Sequence, residues 1–143
     1  MSMEYEEYER QCAIVKKENE TYLEAFRVSL EAAELSKNTI RKHCENVDFF
    51  LNDFMLRYEP CRMPDGCFMI NSFLGDFFIR KCMWSTPATI RSTAASLKKF
   101  YKYMLAEGEI GIDAYAFVVE TIKEEMDEWV DNCESFNNIY SDW

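Results

Sequence analysis

The sequence predicts an all-α protein, a single compact bundle of about five helices. The tripeptide Thr39-Ile40-Arg41 returns as Thr89-Ile90-Arg91 fifty positions later, and the apolar residues after it keep step. Ile40 pairs with Ile90, Cys44 with Ala94, Val47 with Leu97, Phe50 with Phe100, Leu51 with Tyr101, Phe54 with Met104 and Met55 with Leu105. Steps of three and four describe one face of an α-helix, so the same face is written twice. The chain holds only four glycines and three prolines in 143 residues, too few for a turn-rich β fold. Hydrophobic residues make up 48% and aromatics 15%, enough for a real core and too much for disorder.

The first helix is expected over about residues 3–35, with Tyr5, Tyr8, Cys12, Val15, Tyr22, Phe26, Leu30 and Ala33 along one side. Asn19 interrupts that side, and a break at 18–20 would divide the segment in two. Ser36 stands where a hydroxyl caps the free N–H groups of a second helix, about 37–58. Pro60-Cys61-Arg62-Met63-Pro64-Asp65-Gly66 reads as a loop. A third helix, about 67–83, carries Phe68, Phe73, Phe77 and Phe78 and is expected deep in the core. Ser85-Thr86-Pro87 starts the fourth, because proline at the first helical position gives up an N–H that has no partner anyway. Trp84 is expected to pack at that start, and Gly108 to stop the helix near Glu107. A fifth helix, about 113–133, puts Phe117, Val118, Ile122, Met126, Trp129, Val130 and Cys133 on or near one stripe, followed by a frayed tail that includes Trp143. The organisation is an acidic helical extension at 1–19, a helical bundle at 20–110, and an acidic helix and tail at 111–143 packed on the same domain.

The net charge is −10, yet it is unevenly spread. Residues 1–35 carry four bases and nine acids, residues 36–104 eleven bases and six acids, and residues 105–143 one base and eleven acids. The basic centre coincides with the repeated helices. On a wheel with Ile90 at zero, Ala94, Leu97, Tyr101, Met104 and Leu105 fall within about 60° of it, while Arg91, Lys98 and Lys102 gather near 100° with Lys99 farther round. The second helix places Lys37, Asn38 and Arg41 on the matching flank, with Lys42 beyond. Several cations on a rigid element suit a polyphosphate backbone, since they displace its condensed counterions together. Asn38, Thr39, Thr86, Thr89 and Ser92, at the helix N-termini, are placed to donate to phosphates or base edges.

Other chemistries find little support. No stretch approaches eighteen consecutive apolar residues, and the start MSMEYEEYER is acidic where a signal peptide would be basic, so a cytoplasmic protein is expected. The six cysteines include no Cys-x-x-Cys pair, and His43 is the only histidine. Reduced thiols are therefore expected, and no metal site or cofactor. Glu124 and Glu128 lie one turn apart within a run of solvated acids, and no phosphate loop or nucleophile elbow is present. No small-molecule substrate and no membrane association are expected.

Ser36-Lys37-Asn38-Thr39-Ile40-Arg41 with Phe49-Phe50-Leu51 resembles the first motif of the core-binding domain of the tyrosine recombinase, or phage integrase, family. The stretch from Ser85 to Leu105 resembles the second, and Ala106-Glu107-Gly108-Glu109-Ile110 resembles the family's exit from the domain. The resemblance covers about residues 20–110. It implies a SAM-like bundle that clamps one side of a DNA duplex, with Lys37, Asn38, Thr39, Arg41, Lys42, Thr86, Thr89, Arg91, Lys98, Lys99 and Lys102 facing the DNA. The family's catalytic domain uses an arginine, a His-x-x-Arg element and a tyrosine nucleophile. Here His43 is followed by Cys44-Glu45-Asn46, so no catalysis is expected from this chain. An acidic fifth helix stands where the family has a basic linker.

The expectation is thus a non-catalytic, double-stranded-DNA-binding core-binding domain, accessory to or a remnant of DNA integration and recombination. The alternative is a protein-interaction module on the same fold whose acidic ends mask or mimic DNA. In that case the 113–133 helix would meet a second copy or a recombinase partner.

Overall fold

The computed structural model describes residues 2–141, and every regular element among them is helical. Contacts gather the chain into two units, residues 1–66 and 67–143, divided at the end of the proline-rich loop. One copy of the repeated helix lies in each unit.

In the first unit, α1 spans Ser2–Ala32 without a break. Asn19, the expected interruption, is instead buried at 1% exposure, and its Nδ2 donates to Asn52 Oδ1 at 2.8 Å. One hydrogen bond removes much of the cost of burying the amide, so the helix need not break there. Asn19 Oδ1 finds no partner. α1 ends in a Schellman motif: Glu34 N–H donates to Glu31 O, Leu35 N–H to Leu30 O, and Glu34 takes the left-handed φ of 62°. Ser36 then caps α2, Lys37–Asp48, accepting from Thr39 N–H at 3.2 Å.

Beyond Asp48 the helix does not continue as an α-helix to position 58, as the periodicity predicts. It widens into a π-helical turn, Phe49–Phe54, closed by Met55 N–H to Phe50 O at 3.0 Å. α1 packs along α2 and this turn. The core of the unit is Phe26, Leu30, Val47, Phe50, Leu51 and Phe54. A smaller cluster joins Cys12, Val15 and Leu56 with half-buried Tyr8, whose hydroxyl donates to Leu56 O. Tyr5 and Ala33, expected on the apolar side of α1, are exposed.

The loop before the second unit is partly ordered as a 3-10 turn, Met63–Phe68. The expected third helix is irregular. A single turn, α3 (Ile70–Ser72), leads into a π-helical turn, Phe73–Phe77, and then into α4, Phe78–Lys81. Phe78 N–H donates to Phe73 O, and the wider turn carries both rings inward although they stand five residues apart. Phe77 is left half-buried and Phe68 exposed, against the expectation of four core phenylalanines. Trp84, expected to pack at the start of the next helix, is 57% exposed.

α5, Pro87–Ala106, opens on a capping box and ends in a second Schellman motif, with Gly108 at φ 76°. Gly108 N–H donates to Leu105 O and Glu109 N–H to Met104 O. Its buried arc runs from Ser96 through Thr93, Phe100 and Leu97 to Ile90, Tyr101 and Ala94. α6, Ile112–Ser141, packs on α5 and on the 70–81 segment, and it continues eight residues past the expected end at Cys133. Trp143 lies outside the described residues. Phe117, expected on the stripe, is exposed and packs against Phe68 with ring centroids 5.2 Å apart.

Trp129 anchors α6. It is 1% exposed, and Nε1 donates to Asn71 Oδ1 at 2.7 Å. A Cβ at Gly75 would stand 2.9 Å from the indole Cδ1 and Nε1, so glycine there makes room for the ring. Gly75→Ala should destabilise the protein by about 1–3 kcal/mol through overpacking, read as a lower urea midpoint. Glu34→Gly should act in the opposite direction, relieving a left-handed residue for a gain of about 1 kcal/mol in the same titration. A neutral Gly75→Ala would mean that the indole is not seated as described.

Candidate nucleic-acid interface

The residues assigned to DNA fall into two sets, one per unit. On α2, Lys37, Asn38, Thr39, Arg41 and Lys42 are all exposed. Several are already engaged. Arg41 Nη1 donates to Glu45 at 3.2 Å and Nη2 to Asn38 Oδ1 at 2.6 Å. The Thr39 hydroxyl accepts from Ser36 Oγ at 2.9 Å within the cap. Lys37 and Lys42 have no ion-pair partner among the described residues.

On α5, Thr86 and Thr89 are likewise spent on local structure. Thr89 N–H donates to Thr86 Oγ1 at 3.1 Å, Thr86 N–H to Thr89 Oγ1 at 2.8 Å, and the Thr89 hydroxyl is shared between the Thr86 carbonyl at 3.0 Å and the Trp84 carbonyl at 3.3 Å. These hydroxyls build the helix start and hold the turn before it. The cations are different. Arg91, Lys98, Lys99 and Lys102 are exposed, carry no ion pair among the described residues, and share the helix with no acid. Arg91 to Lys102 spans about 16 Å along the axis, at 1.5 Å per residue.

The flanks of the two copies therefore differ. At the fifty-residue offset Asp48 stands where α5 has Lys98, and Glu45 stands where it has Ala95. Both acids lie on the flank that carries Arg41. This difference is visible in the aligned copies, but matching only the apolar positions passes over it.

α6 meets α5 through the buried sides of both helices, with Val118, Trp129, Val130 and Cys133 turned inward. At 100° per residue, Glu120, Glu124, Asp127, Glu128, Asp131 and Glu134 fall on its other side, and all are exposed. No ion pair joins α5 to α6 among the described residues, so the acids do not neutralise the α5 flank by direct contact. Glu125, nearer the seam, has its carboxyl raised by desolvation, by a hydrogen bond with Glu128, and by repulsion from Glu128 and Glu124.

No group of three or more His, Cys, Asp or Glu side chains among the described residues is arranged to hold a metal ion. All six cysteines are free thiols. Burial pushes the Cys44, Cys61 and Cys133 thiols up from their ordinary value, which disfavours the thiolate a nucleophile requires. No helix among the described residues is long and apolar enough to cross a membrane.

No family model matches the chain, and neither curated proteins nor solved structures give a match. The resemblance to recombinase core-binding domains therefore rests on the sequence motifs alone.

Cys44 and Cys61, though partly accessible, should alkylate more slowly with iodoacetamide at pH 8 than an unfolded-chain thiol, because their raised pKa leaves less thiolate at that pH. Peptide mass mapping over time reads this site by site. Rates equal to those in urea would contradict the assigned burial.

Proposed function

We propose that the chain is a non-catalytic DNA-binding domain of the recombinase core-binding kind, gripping the phosphate backbone through the cationic flank of α5. The observation that supports this best is the α5 flank: four cations on one exposed side of a rigid helix, none in an ion pair among the described residues and none opposed by an acid on the same helix. The acids of α6 lie opposite its packed side, which leaves that flank open within its unit. Backbone contacts of this kind position a protein on DNA with little sequence information. Action as an accessory to, or remnant of, DNA integration rests on the motif resemblance alone. A cytoplasmic setting belongs to the same reading.

One observation favours the second reading, a protein-interaction module. The exposed acids of α6 form a face of like charge that would attract a basic partner, whether a second copy, a recombinase or another protein.

Fluorescence anisotropy of a labelled mixed-sequence duplex, titrated at about 50 and 200 mM salt, tests the proposal, because each phosphate contact contributes about 0.9 to the slope of log K against log salt. Binding should fall steeply with salt. Replacing Arg91, Lys98 and Lys102 by Ala should lower the slope by about two to three. Arg41→Ala should change it less, since Arg41 already serves Glu45 and Asn38. Absence of binding at the lower salt would reject the DNA reading and turn attention to the acidic face.

A further inference from the structure

The turn between α4 and α5 is held firmly and yet turns two large apolar side chains outward. Ser85 is buried, and its N–H donates to Cys82 O at 3.1 Å and its hydroxyl to Ile79 O at 3.3 Å. Asn137 Nδ2 of α6 donates to Ser85 O at 3.0 Å, and the Thr89 hydroxyl to Trp84 O at 3.3 Å. The backbone is thus tied to three helices. Met83 nevertheless stands 101% exposed and Trp84 57% exposed. A lone exposed apolar residue is ordinary. Two adjacent ones on a pinned turn, immediately before the cationic helix, place apolar surface at a fixed point of the backbone beside its first positive charge.

The surrounding charge says which ligand that surface suits. Lys81, just before the turn, has no ion-pair partner among the described residues, and Arg91 opens the α5 flank just after it. The cations then run away from the turn in one line, Arg91 to Lys98 to Lys102, as a groove tracking a nucleic-acid backbone requires.

We infer that Met83 and Trp84 form a contact for unstacked nucleobases in DNA whose backbone α5 holds. The inference rests on the DNA-binding reading above and adds a substrate preference to it: distorted or locally unpaired duplex over intact duplex. The indole offers a flat face on which a displaced base stacks. The methionine is an apolar wedge of the kind that enters an opened base step. The hydrogen bonds that pin the turn hold the backbone in place, so the ordering that opposes binding falls on the two side chains alone.

The test compares wild type and M83A/W84A as full chains, by anisotropy, on an intact duplex and on the same duplex carrying an unpaired bulge. Phosphatidylcholine–phosphatidylserine vesicles serve as a third probe. Wild type should favour the bulged duplex by roughly ten-fold, the scale of one stacking contact. M83A/W84A should bind both duplexes alike, with the salt dependence of wild type, and W84F should retain most of the preference. Because W84F keeps an aromatic ring, its behaviour separates loss of stacking from loss of fold. Wild type binding the two duplexes equally overturns the inference and leaves the backbone reading standing, as does a preference that survives in M83A/W84A. Wild type binding neither duplex overturns both. Vesicle binding that depends on Met83 and Trp84, without a bulge preference, assigns the pair to a lipid surface instead.

Discussion

The Trp129 indole lies against the 70–81 segment because position 75 has no side chain and because Asn71 accepts its N–H. Once that ring is seated, the rotation of α6 about its own axis is set. Val118, Val130 and Cys133 must then face inward with it, and the carboxylates at 124, 127, 128 and 131 must face outward. The separation of charge in the second unit is thus a consequence of packing. A large side chain at position 75 would compromise both the core and the electrostatics that depend on it.

That separation reconciles a net charge of −10 with a cationic surface. At physiological ionic strength a charge is felt over about 8 Å, so a phosphate near α5 responds to the cations beside it more than to the chain's total. The α2 flank is the contrasting case. Glu45 sits one turn from Arg41 and pairs with it, and Asp48 lies on the same flank. The two copies keep the same buried face and differ in what they show to solvent.

Much of the architecture is legible in residue order. Ser36, Thr86-Pro87 and Gly108 mark helix ends by local chemistry, and each acts as its residue type requires. The repeated apolar face is buried in both copies apart from half-buried Cys44 and Leu105, and it stays buried in the first copy although residues 49–54 form a π-helical turn. The residues that depart from expectation do so for separate reasons. Phe77 faces inward only if α-geometry is uniform, and the π-helical turn at 73–77 changes which residues share a face. Phe68, Phe117 and Trp84 are aromatic in type but remain largely open to solvent, which only the tertiary packing reveals. Asn19 is the opposite case, a polar residue drawn into the core by Asn52, 33 positions on. For the candidate interface, the cations and their exposure are legible in the sequence. The pairing of Arg41, the capping duty of Thr86 and Thr89, and the outward turn of Met83 are not, since each depends on where neighbouring side chains come to rest.

The π-helical turns give the chain an unusual relation to insertion and deletion. Each accommodates one residue more than an α-helical turn, so losing a residue from 73–77 would first regularise the helix there rather than break it. The next helix would keep its facing. A π-helical turn closes over one residue more than an α-helical turn, so removing that residue leaves α4 oriented nearly as before, with Phe78 and Ile79 still toward the core. The same loss from the middle of α5 would turn everything beyond it by about 100° and carry its buried residues off the core. Over evolutionary time the π-helical segments should therefore accept loss of a residue more readily than the uniform helices, an asymmetry set by rotation rather than by burial.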